Sequence, residues 1–160
     1  MLDRQIEQFV RTRSVDVRHT GRPFVHHLIG VHDILVARGL RLEVCLAGLF
    51  HSIYGTNAFT HPTVAIEDRN VVAEMIGAPA ERLAYIFCSC DRPRALVAAV
   101  KGGTPYFVHD RRDDSSIELS RQDLIDLLDI EIANLQEQGG SRSLLDVVTA
   151  RYGMGGAAHA

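Results

Sequence analysis

The sequence predicts an all-α single domain carrying one small β-hairpin, and three observations predict it. Apolar residues recur at helical spacing along most of the chain, and Gly and Pro fall at intervals that suit helix ends. Only one stretch alternates as strands do: Tyr106-Phe107-Val108 and Ile117-Glu118-Leu119 flank a polar turn. At 160 residues the chain suits one compact domain. Hydrophobic residues at 46% and charged residues at 23% sit at globular averages.

Taken in order, the spacing predicts a first helix over about Leu2 to Arg13 and a second that opens with Pro23 and runs to about Arg38, where Gly39 caps it. The third, about Leu42 to Tyr54, is apolar nearly all round, so it is expected to be central. A loop around Pro62 precedes a helix over about Asp68 to Ile76. Pro79 opens a fifth helix that Pro93 must break, and a short one follows from Arg94 to Val100. After the hairpin, Ser120 caps a long helix with Asp123 in the capping-box position, running through Leu124, Leu128, Ile132 and Leu135 to Gly139-Gly140. A last helix, about Ser143 to Tyr152, completes a domain expected to span 1–152, with 153–160 a disordered tail.

The formal charge of −3 comes from interspersed signs without a basic stripe, which argues against nucleic acid as a partner. No apolar run approaches the roughly 20 residues of a membrane span. Cys45, Cys88 and Cys90 cannot all pair, and Cys88-Ser89-Cys90 lacks the two-residue gap of common zinc or redox motifs. Reduced thiols in a cytoplasmic protein are the expectation.

Only polar side chains on buried stripes can build an interior site. His27 shares a face with Phe24, Leu28, Val31 and Leu35, whereas His26 falls on a more polar side with Gly30 and Asp33. His51 lies in the most apolar helix, where a buried imidazole needs a hydrogen-bond partner or a metal. Asp91 extends the stripe of Ala84, Phe87 and Cys88 and is expected to face the core. Two histidines and an aspartate from separate helices can converge in a bundle core, leaving coordination positions open for water or substrate. The competing reading makes each a hydrogen-bonded core residue, with Asp91 in a local ion pair beside Arg92.

Gly21-Arg22-Pro23-Phe24-Val25-His26-His27-Leu28 followed by Ala47-Gly48-Leu49-Phe50-His51 resembles the start of an HD-domain protein, closest to the guanosine-polyphosphate hydrolase type. The resemblance covers about Arg18 to Leu96. It implies an HD-domain-like helical bundle, with His27 and His51 as the two histidine ligands and Cys90-Asp91-Arg92 as the segment holding the last aspartate. Ser52 stands where the family's second motif residue is aspartate, and no Glu-Asp pair follows at Tyr54-Gly55-Thr56. More narrowly, Leu49 to Thr56, with Arg82 to Phe87, resembles a subgroup of uncharacterised domains that keep this serine.

What remains is a two-histidine, one-carboxylate set suited to one divalent ion, Fe, Mn or Zn. His61 is a possible further ligand. His26, Ser52, Tyr54, Thr56, Glu131 and Asn134 are expected to line the pocket, and Arg18, Arg22 and Arg92 to grip an anion. The implied activity is metal-dependent hydrolysis of a phosphoester in a small anionic metabolite. A non-haem iron oxygenase on the same ligands is one alternative, and a degenerate HD domain that binds a ligand or partner without catalysis is another. A homodimer is expected only on the general frequency of symmetric dimers.

Overall fold

The computed structural model describes residues 2–19 and 21–139, within which the protein is mainly helical. Helix α1 (Arg4–Arg13) is started by Asp3, whose carboxylate accepts from the backbone of Gln5 and Ile6. Strands β1 (Arg18–His19) and β2 (Arg22–Pro23) then form a two-residue antiparallel ladder that the sequence does not announce. Helix α2 (Phe24–Ala37) follows directly, with Pro23 as its cap residue instead of its first helical one.

Helix α3 spans Leu42–Leu49, shorter than the expected Leu42 to Tyr54, and gives way to turns through Tyr54. The reason is local. The Gly48 carbonyl, which would continue the helix, accepts instead from the His51 backbone at 3.5 Å and from its ring Nδ1 at 2.6 Å. A side chain that binds the backbone this way offers the chain an alternative to the helical ladder.

A 3-10 turn (Ile66–Asp68) leads into α4 (Arg69–Ile76), and α5 (Ala78–Ser89) starts after Gly77 with Pro79 in its first turn. Helix α6 (Arg94–Gly102) precedes the predicted hairpin, β3 (Tyr106–Asp110) and β4 (Ser115–Leu119). Helix α7 (Arg121–Glu137), about 25 Å long, begins with both halves of the Ser120/Asp123 capping box. The predicted helix over about Ser143 to Tyr152 and the tail lie outside the described residues. Among the described residues no helix is long and apolar enough to cross a membrane.

Two apolar clusters form the core. Val31 and Leu35 of α2, Val44 and Ala47 of α3, and Phe87 of α5 join Leu127 and Ile130 of α7 in one. Phe24 and Leu28, Leu46 and Leu49, and Ala84 and Cys88 of the same three helices join Val72 of α4 in the other. Helices α2, α3 and α5 therefore each face both clusters, which is why α3 had to be apolar nearly all round. A glycine sets how closely α2 and α3 pack: a Cβ on Gly48 would stand 2.2 Å from Leu35 Cδ1.

The hairpin fastens the chain that follows α3. Arg112 donates from Nη2 to the carbonyls of Tyr54 (2.7 Å) and Gly55 (3.0 Å) and from Nε to Ser89 Oγ (3.1 Å). Arg111 donates to the Cys88 carbonyl at 2.8 Å. Asp110 anchors the hairpin end, accepting from Tyr85 Oη at 2.6 Å and from the Arg112 backbone at 2.9 Å.

Candidate functional site

His27 and His51 meet at the seam of the two clusters, their Nε2 atoms 3.1 Å apart in the buried interior. Position follows from packing. His27 lies beside Phe24 on α2, and the edge of the His51 ring meets Phe87 at 5.4 Å between centroids. The turn carrying His51 is held from below, where the Cys88 thiol donates to the His51 carbonyl at 3.1 Å.

The far side of each ring is anchored. His51 Nδ1 faces the Gly48 carbonyl, which only accepts, so Nδ1 carries the hydrogen. His27 Nδ1 faces a Glu137 carboxylate oxygen, and the other oxygen of Glu137 accepts from Arg22 at 3.1 Å. An ionised carboxylate likewise only accepts, which places the His27 hydrogen on Nδ1 too. When both rings are neutral, each presents its Nε2 lone pair to the other. Two lone pairs at 3.1 Å repel unless a cation lies between them, and that cation is a shared proton or a metal ion. Burial, then the neighbouring His27 and Arg92, hold the His51 pKa well below the ordinary histidine value, the hydrogen bonds to Gly48 and Asn134 working the other way.

Beside the pair runs a buried polar chain. Asn134 of α7 lies beside both His51 and Glu131, with its side-chain oxygen accepting from Gln138 at 3.0 Å. Glu131 Oε2 accepts from Arg92 Nη1 at 3.1 Å, and Arg92 Nη2 donates to Thr56 Oγ1 at 3.3 Å. The Arg92 guanidinium also lies over the Phe87 ring, 4.3 Å from its centroid. Glu131 Oε1 and Arg92 Nε are buried without a hydrogen-bond partner. Burial raises the Glu131 carboxyl pKa, with Arg92 and Asn134 opposing. On its outer side Arg92 borders a surface pocket of about 590 Å³ lined also by Asn57, Asp91, Arg94 and Lys101.

Of the residues expected to build the site, His27, His51, Glu131, Asn134, Thr56 and Arg92 are brought together, with Ser52 buried next to His51. Asp91 is not. Its side chain is 55% exposed, accepts from Asn57 at 2.8 Å and pairs with Arg94 at 3.8 Å. The stripe of α5 cannot be extended to it, because the helix stops at Ser89 and Cys90 is extended. The competing reading, a local ion pair, describes it. His61 is exposed in its loop against Phe59, and His26 is exposed on the outer face of α2. Tyr54 is buried but turned to Glu81, donating at 3.0 Å to a carboxylate that Arg69 also grips. Arg18 is exposed and donates to Gly21, and Arg22 reaches Glu137.

Sequence reasoning missed Glu137 and the part Gly30 and Gly48 play. A signal for Glu137 existed: Glu131, Asn134 and Glu137 are spaced three apart, which puts them on successive turns of one side of α7. Among the described residues no three His, Cys, Asp or Glu side chains converge as a metal cage. Two imidazole nitrogens are the donors the fold supplies.

Comparison with curated proteins and with solved structures finds no match. A family model does match, over residues 9–92, just over half of the chain. That span contains both histidines, Arg92 and the two glycines, and stops short of α7. The chain belongs to that family, described as Domain of unknown function (DUF6817).

Proposed function

We propose that the chain is a metal-dependent enzyme of the HD type, in which His27 and His51 hold one divalent ion and the reaction is hydrolysis of a phosphoester in a small anionic metabolite. The observation that carries the reading is the approach of the two Nε2 atoms. Two imidazoles binding one ion at about 2.1 Å and at angles between octahedral and tetrahedral stand about 3.0–3.4 Å apart, and these stand at 3.1 Å. Anchoring of the opposite ring nitrogens on a carboxylate and a backbone carbonyl is the support that metal-binding histidines usually have. Imidazole donors suit a divalent ion of the Fe, Mn or Zn kind, and with two of them, one fewer than the usual three protein ligands, water and substrate would fill the remaining positions.

Such an ion supplies Lewis-acid activation of water and of the phosphoryl oxygen. The chain's own residues do the rest. Glu131, whose carboxyl pKa burial raises, is the group to exchange a proton, at Oε1. Arg92, Arg94 and Lys101 give the adjoining pocket its preference for a phosphate group, and Asn57 offers an amide there.

The test is a panel of phosphomonoesters assayed with Fe(II), Mn(II) or Zn(II). Turnover that stops with chelator and in His51→Ala, and whose KM rises in Lys101→Glu, supports the reading. Turnover that persists in both His27→Ala and His51→Ala contradicts it.

Two observations favour a second reading, a non-catalytic HD domain whose pair is bridged by a proton: Ser52 replaces the motif aspartate, and Asp91 faces solvent. In that case the protein takes up no metal, and Lys101→Glu affects only ligand binding.

A further inference from the structure

We infer that Glu137 is the positioning residue of the histidine pair: it fixes His27 with its hydrogen on Nδ1, so that the Nε2 lone pair is aimed at His51. Three features meet there. Glu137 sits in the last turn of α7, and one carboxylate oxygen takes the His27 Nδ1 hydrogen. Its other oxygen accepts from Arg22, which keeps the carboxylate from rotating away. The third is a space made for it. Gly30 lies on α2 one turn beyond His27, and a Cβ there would stand 2.8 Å from Glu137 Cγ and 3.3 Å from its Oε1. A side chain at position 30 would force the Glu137 side chain to shift.

The alternative hydrogen position would be unproductive. With the hydrogen on Nε2, His27 would merely donate to His51, and Nδ1 would face a carboxylate with no hydrogen between them. Fixing one ring by carboxylate and the other by the Gly48 carbonyl turns the two Nε2 atoms toward each other. The link to metal affinity rests on the function proposed above; the hydrogen position does not.

The test uses the full chain, histidine-labelled with 15N and freed of metal at about pH 8, where neutral imidazole predominates. Long-range 15N–1H correlations report which ring nitrogen carries the hydrogen, and zinc alone is then titrated in. In the native protein His27 is expected to carry it on Nδ1. Glu137→Ala and Gly30→Ala should both give a mixture of the two forms at His27, with His51 unchanged, and Glu137→Gln, which keeps an acceptor oxygen, should restore the native pattern. Zinc affinity should fall about 10- to 100-fold in the first two variants. A native His27 with its hydrogen on Nε2, or a pattern that neither Glu137→Ala nor Gly30→Ala alters, would overturn the inference. If the pattern shifts as expected while no form binds zinc, the positioning role stands and the metal reading fails.

Discussion

A buried imidazole is cheap to keep neutral and costly to charge, and His51 is fully buried. Its pKa in the folded protein lies well below the ordinary value, whereas in the unfolded chain it returns to about 6.5. The unfolded state therefore binds the proton more readily. This part of the stability is fully present above about pH 6.5 and is lost as pH falls below it toward the folded value. Urea unfolding of the metal-free protein at pH 7.5 and 5.5 should show lower stability at the acid pH, with a smaller difference in His51→Gln; an equal difference in both would contradict the assignment. Single residues were unevenly legible in the sequence. Helical spacing placed His27 inward and His26 outward. It failed at Asp91, because the period of α5 means nothing past the residue where the helix ends. Glu137 went unread because its task is set by a glycine more than a hundred positions away on another helix.

At the scale of elements, most boundaries could be read from caps and breakers. The Ser120/Asp123 capping box, the Pro79 start and the β3–β4 hairpin all stand where residue chemistry puts them. The end of α3 was not legible, since the apolar run continues to Tyr54 while the His51 ring takes the Gly48 carbonyl. Gly48 thus serves two purposes: its carbonyl anchors His51, and its missing side chain admits Leu35. Gly48→Ala should cost about 1–3 kcal/mol through overpacking, read as a lower urea midpoint with unchanged slope. A neutral result would mean that α2 and α3 do not approach as closely as described. The hairpin offers a separate check. Arg112→Ala removes three side-chain hydrogen bonds that hold Tyr54, Gly55 and Ser89. It should destabilise by about 2 kcal/mol and speed amide exchange after α3, and unchanged exchange there would show that the hairpin is not the clamp.

For the whole molecule, the arrangement joins two parts of unequal standing. The family match covers both histidines and Arg92, whereas Glu131, Asn134 and Glu137 come from α7 beyond it. Helix α7 thus supplies the site with its buried carboxyl group, its amide and the partner of His27, while α2, α3 and α5 bring the rings together. The mainly helical class was legible from periodicity. The site was legible only in part, because convergence depends on how four helices pack, which no local spacing records. The most direct test of the central claim, that His27 and His51 form a pair built around a metal ion, is elemental analysis of protein purified without added metal or chelator, alongside His27→Ala and His51→Ala. Close to one Fe, Mn or Zn per chain in the native protein, lost in both variants while the helical signal persists, is the result predicted. No metal in the native protein even after reconstitution, or full metal content in both variants, would contradict it.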